Sequence, residues 1–182
     1  MNISATDVKA LRDKTGAGFM ECKSALAEAD GDAEQAITIL RKRGLTKAAK
    51  RAGRSTEQGV VGSYIHTGGK VGVLIEVNCE TDFVARTDDF KELVKELAMH
   101  VAATNPQYIR REDVPAATVE HEKEIFRSQL EGYYRDTVLL DQPSIRDSKI
   151  TINQLVATTI AKMGENVTIS RFARFKIGEG ST

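Results

Sequence analysis

A chain of 182 residues that is 41% apolar is long enough to bury one domain core plus a small extra module, and too apolar for disorder. Its 26 Lys and Arg against 26 Asp and Glu leave no net charge, no apolar run approaches the roughly 18 residues of a membrane span, and the opening MNISATDVKALRDK has neither signal-peptide nor transit-peptide character; a cytoplasmic protein without a membrane partner is expected. Cys22 and Cys79 stand outside any Cys-x-x-Cys or Cys-x-x-His pattern, which excludes a disulfide framework and a structural zinc site and leaves reduced, partly buried thiols.

The first 44 residues read as three short helices. Ser4 caps a segment with Ala5, Val8 and Leu11 on one side, and Thr15-Gly16-Ala17-Gly18 releases the chain. Phe19, Cys22, Leu26 and Ala29 recur at helical spacing up to Asp30-Gly31. Asp32 and Gln35 then form a capping-box pattern for a third helix with Ala33, Ala36, Ile37 and Leu40 inward, and Gly44 stands where a helix-ending glycine is expected. The result is a compact three-helix bundle. RKRGLTKAAKRAGR, residues 41–54, follows with seven basic side chains and no acid; it is either an RNA or phosphate contact or a solvated helix and linker, and without aromatics to stack bases the second reading is adopted and no specific nucleic acid is expected as a partner.

From Gly59 the apolar period becomes two. GVVGSYIH and KVGVLIEVNCE, separated by Thr67-Gly68-Gly69, predict an antiparallel hairpin with Val71, Val73, Ile75 and Val77 on one face. Thr87 caps a long helix with a buried stripe of Phe90, Leu93, Val94, Leu97 and Val101, ending before Asn105-Pro106. VEHEKEIFRSQLE, whose sparse stripe is Val119, Phe126 and Leu130, predicts one exposed helix. Thr151 and Gln154 form a second capping box, ahead of Ile152, Leu155, Val156, Ile160 and Met163, and Gly164 is the stop. In the closing NVTISRFARFKIG strict alternation puts Val167, Ile169, Phe175 and Ile177 on one face, with Phe172 on the polar one. The expected fold is α+β: a helical unit over 1–54 including the basic linker, then a core over 55–182 with a three-stranded antiparallel sheet packed on helices.

The neutral total hides an asymmetry. Residues 1–54 carry 11 basic and 7 acidic groups, a net +4, and residues 55–182 carry 15 and 19, a net −4. Chemistry is scarce. Gly16 and Gly18 meet Glu21 where a dinucleotide fingerprint needs a third glycine, and there is no Gly-Lys-Ser/Thr loop. His66, His100 and His121 lack metal-ligand spacing. Glu80 and Asp82 could act as paired carboxylates but more simply cap a helix, so no enzyme, no cofactor and no metal is called for. The unusual stretch is Asn78-Cys79-Glu80-Thr81-Asp82-Phe83-Val84-Ala85, where an aromatic follows a polar break after an apolar strand. It either presents Phe83 to a partner or, on pattern alone, uses Asp82 as a cap and buries Phe83.

TGAGFMECKSALAEADGDAEQAITILRKRG, EVNCETDFVAR and GENVTISRFARF strongly resemble, in order and over nearly the whole chain, the bacterial elongation factor Ts family. The resemblance implies a guanine nucleotide exchange factor for the translational GTPase elongation factor Tu, built from a ubiquitin-associated-like helical bundle and an α+β dimerisation-type core. By resemblance, Thr81, Asp82, Phe83 and Val84 match the family's element for dislodging magnesium, with Asp82 and Phe83 entering a cleft beside the nucleotide site. Arg12, Phe19 and Met20 match its N-terminal contacts with the GTPase; Phe19 also fits the bundle's own core, which leaves Met20 the better contact. One core copy, where long relatives have two, implies a homodimer through the core sheets; Ala173 in the last strand means that it needs no interchain disulfide there. Relatives also have about a turn and another helix between Leu130 and Tyr133 that is missing here. Either this is a true deletion or the chain is broken there, and the break is the reading adopted. A Glu131–Gly132 Cα separation well above about 3.8 Å is its mark.

Overall fold

The computed structural model describes residues 3–125 and 130–179. At the N-terminus, α1 (Ala5–Thr15) starts with the Ser4 hydroxyl accepting the Asp7 amide at 3.1 Å and ends at Gly16, which takes φ 67° so that its N–H reaches the Arg12 carbonyl. α2 spans Phe19–Glu28 and α3 spans Ala33–Arg51. Asp32 accepts the amides of Glu34 and Gln35 at 2.8 and 2.9 Å, while Gln35 answers the Asp32 carboxylate rather than its backbone, so the expected capping box is only half formed. Val8, Leu11, Cys22, Leu26 and Ile37 close a core private to these helices.

Gly44 does not end the third helix. It keeps a helical backbone, and α3 runs about two turns further, to Arg51. A Cβ at Gly44 would stand 3.7 Å from the Ala157 carbonyl oxygen and 3.9 Å from the Ala161 Cβ, both on α8 (Ile152–Met163). The basic stretch is therefore mostly helix, and α3 joins the two cores: Ile37 is buried in the first and Ala48 packs against the second.

β1 (Gln58–Ile65), β2 (Val71–Cys79) and β3 (Val167–Lys176) form an antiparallel sheet in that order. Alternation on β2 sends Val73, Ile75, Val77 and Cys79 inward. After the single turn α4 (Asp82–Ala85), α5 (Asp88–Thr104) lays Phe90, Leu93, Val94, Leu97 and Val101 on that face. Its start is fixed by Thr87, which accepts the Phe90 amide, and its end by Asn105 in the left-handed region. Gly62 admits the close approach: a Cβ there would lie 2.3 Å from Val94 Cγ1. The fold is α+β, helices first and then a three-stranded antiparallel sheet packed on helices.

Two expectations change. β3 does not alternate strictly, because Glu76 pairs with Arg171 while the next β2 residue, Val77, pairs with Ile169. The extra residue, Ser170, is a β-bulge, and one inserted residue exchanges the faces beyond it. Val167 and Ile169 are buried as expected, but Phe172 then packs on the core and Phe175 and Ile177 are exposed. The described parts of the helix expected over 119–131 are helical, in α6 (Ala116–Ile125) and α7 (Leu130–Thr137), and Tyr134 of α7 joins Val114 and Val138 in a small third core. Phe126 lies outside the described residues. Glu131 and Gly132 are consecutive within α7, without the expected break.

Candidate functional site

Where β2 leaves the sheet, the backbone turns sharply into α4. The Thr81 hydroxyl caps this turn by accepting the Val84 amide at 3.4 Å. It also donates to Glu165 Oε1 at 2.6 Å, and the Thr81 amide donates to Glu165 Oε2 at 3.0 Å. From below, the Cys79 thiol donates to the Thr81 carbonyl at 3.1 Å. Burial first, and the Glu165 carboxylate second, push that thiol above its ordinary range, so it stays protonated.

Thr81 to Val84 thus form one rigid corner with two anchored and two free side chains. Val84 packs against the core and Ala85 is buried. Phe83 is 78% exposed, which overturns the pattern-based reading of a core residue: α4 is one turn long and turns only its Val84–Ala85 side to the core. Asp82 is not the cap either; Thr81 is, and the Asp82 carboxylate accepts from Arg86 at 2.7 Å on the surface.

Glu80 and Asp82 do not converge. Glu80 accepts the Asn166 amide at 2.6 Å and lies 3.4 Å from Arg54, while Asn166 in turn donates to the Arg54 carbonyl at 2.9 Å. His100 is buried with Nε2 2.9 Å from the Gln142 amide oxygen, far from any such pair, and no group of three His, Cys, Asp or Glu able to hold a metal occurs among the described residues. Clefts of about 350 and 560 Å³ flank α3 and α8, and neither is lined by residues 81–84. The candidate site is convex, a shape suited to entering a partner rather than enclosing a small molecule.

The second group stands on the helical unit. Arg12 is exposed in the last turn of α1, and Phe19 and Met20 open α2 after the glycine turn. Phe19 is 46% exposed and Met20 69%, so Phe19 is not a bundle core residue; the helix begins at Phe19, and its buried stripe starts only at Cys22. The turn brings all three onto neighbouring elements as exposed side chains.

Two functional neighbours escaped the reading of local pattern, Glu165 and Asn166. They belong to GENVTISRF, and the available signal was a polar pair between the helix-ending Gly164 and the apolar Val167. No helix among the described residues is long and apolar enough to cross a membrane.

The family described as "Elongation factor TS" matches residues 37–132. Elongation factor Ts of Fervidobacterium nodosum is 54% identical, over 98% of this chain and 100% of its own length. Those of Koribacter versatilis and a Thermoanaerobacter species are 54% and 53% identical over 98% of this chain, covering 90% and 96% of their own lengths. These three alignments run over 196 to 197 positions, more than the 182 residues here, so the relatives carry residues that this chain lacks.

Proposed function

The chain belongs to the elongation factor Ts family, and from that premise we propose that it is a translation elongation factor that binds elongation factor Tu carrying GDP and promotes GDP release without making or breaking a covalent bond. Asp82 and Phe83 disturb the magnesium and phosphate site of the GTPase, with Thr81 and Val84 as their frame. The observation that carries this reading is Phe83, an aromatic side chain 78% exposed on a corner whose backbone is capped and tied down. A large apolar group presented to water gains by burial, and a backbone already tied down beneath it lowers the ordering cost of binding.

The mechanism follows from charge. Magnesium bridges the phosphate oxygens of GDP and offsets their repulsion, so displacing its ligands weakens nucleotide binding. Linkage requires that the factor bind empty GTPase more tightly than the GDP form, and the nucleotide then weakens the factor by the same ratio. A wedge that fits only when the magnesium pocket is distorted supplies that difference. Asp82 adds a carboxylate next to the wedge, competing with magnesium ligands by charge. Arg12, Phe19 and Met20 form a second contact that holds the helical unit on the nucleotide-binding domain, with no cofactor required.

A homodimer is part of the same reading. The outer sheet face exposes Val61, Ile65, Leu74, Phe175 and Ile177, and a symmetric copy of that face covers it. The protein works in the cytoplasm, where its GTPase is found. The test is release of a fluorescent GDP analogue from loaded elongation factor Tu. Wild type accelerates release, and both Phe83→Ala and Asp82→Ala slow it; no acceleration by wild type overturns the function, and unchanged variants overturn the role of the corner.

A further inference from the structure

We infer that Glu165 is a positioning residue for exchange, holding the Thr81–Phe83 corner in the orientation that presents Phe83. This rests on the reading of Phe83 given above. α4 has four residues, too few to hold a helical turn by its own hydrogen bonds, and Phe83, 78% exposed, does little to anchor it. The corner must be held from outside.

Glu165 does this with both carboxylate oxygens, one on the Thr81 amide at 3.0 Å and one on the Thr81 hydroxyl at 2.6 Å. Hydrogen bonds to a carboxylate are shorter and stronger than neutral ones. The second bond also has a directional effect. The hydroxyl has one proton, and Glu165 takes it, so a lone pair is left to accept the Val84 amide at 3.4 Å. Glu165 therefore sets the rotor that caps α4, from a position 84 residues along the chain.

Its own place is fixed. Gly164 takes φ 80° to end α8 and release the chain towards β3. The next residue, Asn166, is buried, with its amide on Glu80 at 2.6 Å and its side chain on the Arg54 carbonyl at 2.9 Å. Glu80 and Thr81 on one strand exit and Glu165 and Asn166 on the other strand entrance thus form a two-by-two clamp under the exposed pair Asp82–Phe83. The clamp holds the backbone under the wedge before the partner arrives, which lowers the ordering cost of binding.

The experiment measures GDP release against exchange-factor concentration for wild type, Glu165→Gln, Glu165→Ala, Phe83→Ala and Glu165→Ala with Phe83→Ala, after circular dichroism has shown each variant folded. Glu165→Gln preserves the volume, so it reports even where Glu165→Ala fails to fold. Expected are a maximal rate lowered roughly tenfold in Glu165→Ala with little change in half-saturating concentration, a smaller loss in Glu165→Gln, and a double variant no slower than Phe83→Ala alone. Wild-type rates in both Glu165 variants beside a slow Phe83→Ala overturn this inference and leave the reading of Phe83 standing. Losses of Glu165 and Phe83 that multiply overturn it too, since independent residues do not share one wedge. A wild-type rate in Phe83→Ala overturns that reading and this inference together.

Discussion

Phe83 and Asp82 separate function from stability because neither holds the fold. Phe83 is mostly in water, and the Asp82–Arg86 pair is an exposed i,i+4 bridge. Truncating either should leave stability within about 0.5 kcal/mol of wild type. Phe83→Ala should nevertheless slow exchange by about tenfold or more, the loss typical of an anchoring aromatic, as read by nucleotide release beside a thermal melt. His100 behaves in the opposite way. It is buried on α5 with Nε2 donating to Gln142 and Nδ1 without a protein partner, and burial lowers its basicity below the ordinary value of 6.5. Above about pH 6.5 the ring is neutral folded or unfolded and stability is complete. As pH falls through that value the unfolded chain takes up a proton that the folded one resists, so stability declines. Replacing His100 by Gln should flatten the pH dependence of the melting temperature below about pH 6.5, and an unchanged slope would assign that dependence to other groups.

At the scale of elements, two glycines sit against helices with opposite consequences. Gly62 on β1 has Val94 Cγ1 where its Cβ would be, and valine is stiff, so Gly62→Ala should cost about 1–3 kcal/mol in chemical denaturation. Gly44 in α3 has ordinary contact distance to α8 and a helical backbone, so Gly44→Ala should stabilise by about 0.5–1 kcal/mol through reduced backbone freedom. A loss would mean that α3 and α8 tolerate no added methyl. The same pair shows how far local pattern reaches. Ser4, Thr87 and Thr151 cap as their spacing predicts, because a cap is satisfied within three residues. Gly44 looks like a stop only when α8 is out of view, and Ser170 cannot be seen as a bulge without β2 beside it.

For the whole molecule, the sheet and the charge distribution carry the consequences. With α5 on the inner face, the outer face keeps Val61, Leu74 and Phe175 in water, and a second copy is the proposed cover. Light scattering at micromolar concentration should give twice the chain mass, and Leu74→Lys, at a position exposed in the single chain, should return the monomer without unfolding it. A strict wild-type monomer would remove the dimer. The basic stretch of 41–54 is largely engaged within the protein: Arg41 with Asp147, Arg43 with Glu28, Lys47 with Glu21, Arg54 with Glu80. Residues 1–54 still carry a net +4 and residues 55–182 a net −4, and on the proposed reading this asymmetry steers the encounter, so raising salt should slow encounter modestly rather than abolish binding.

Residue order alone determined the caps at Ser4, Thr87 and Thr151, the change from helical to strand spacing at Gly59, the α+β class and, through three motifs in family order, Thr81–Val84 as the site to test. These are properties of neighbours within a few positions. Tertiary structure decided which apolar side chains face water. Phe19, Phe83 and Phe175 all carry the pattern of buried residues, yet exposure depends on their setting: a place ahead of the buried stripe of α2 for Phe19, a one-turn corner for Phe83, a single inserted residue for Phe175. It also decided that Glu165 holds Thr81, because a hydrogen bond across 84 positions leaves no trace in local spacing.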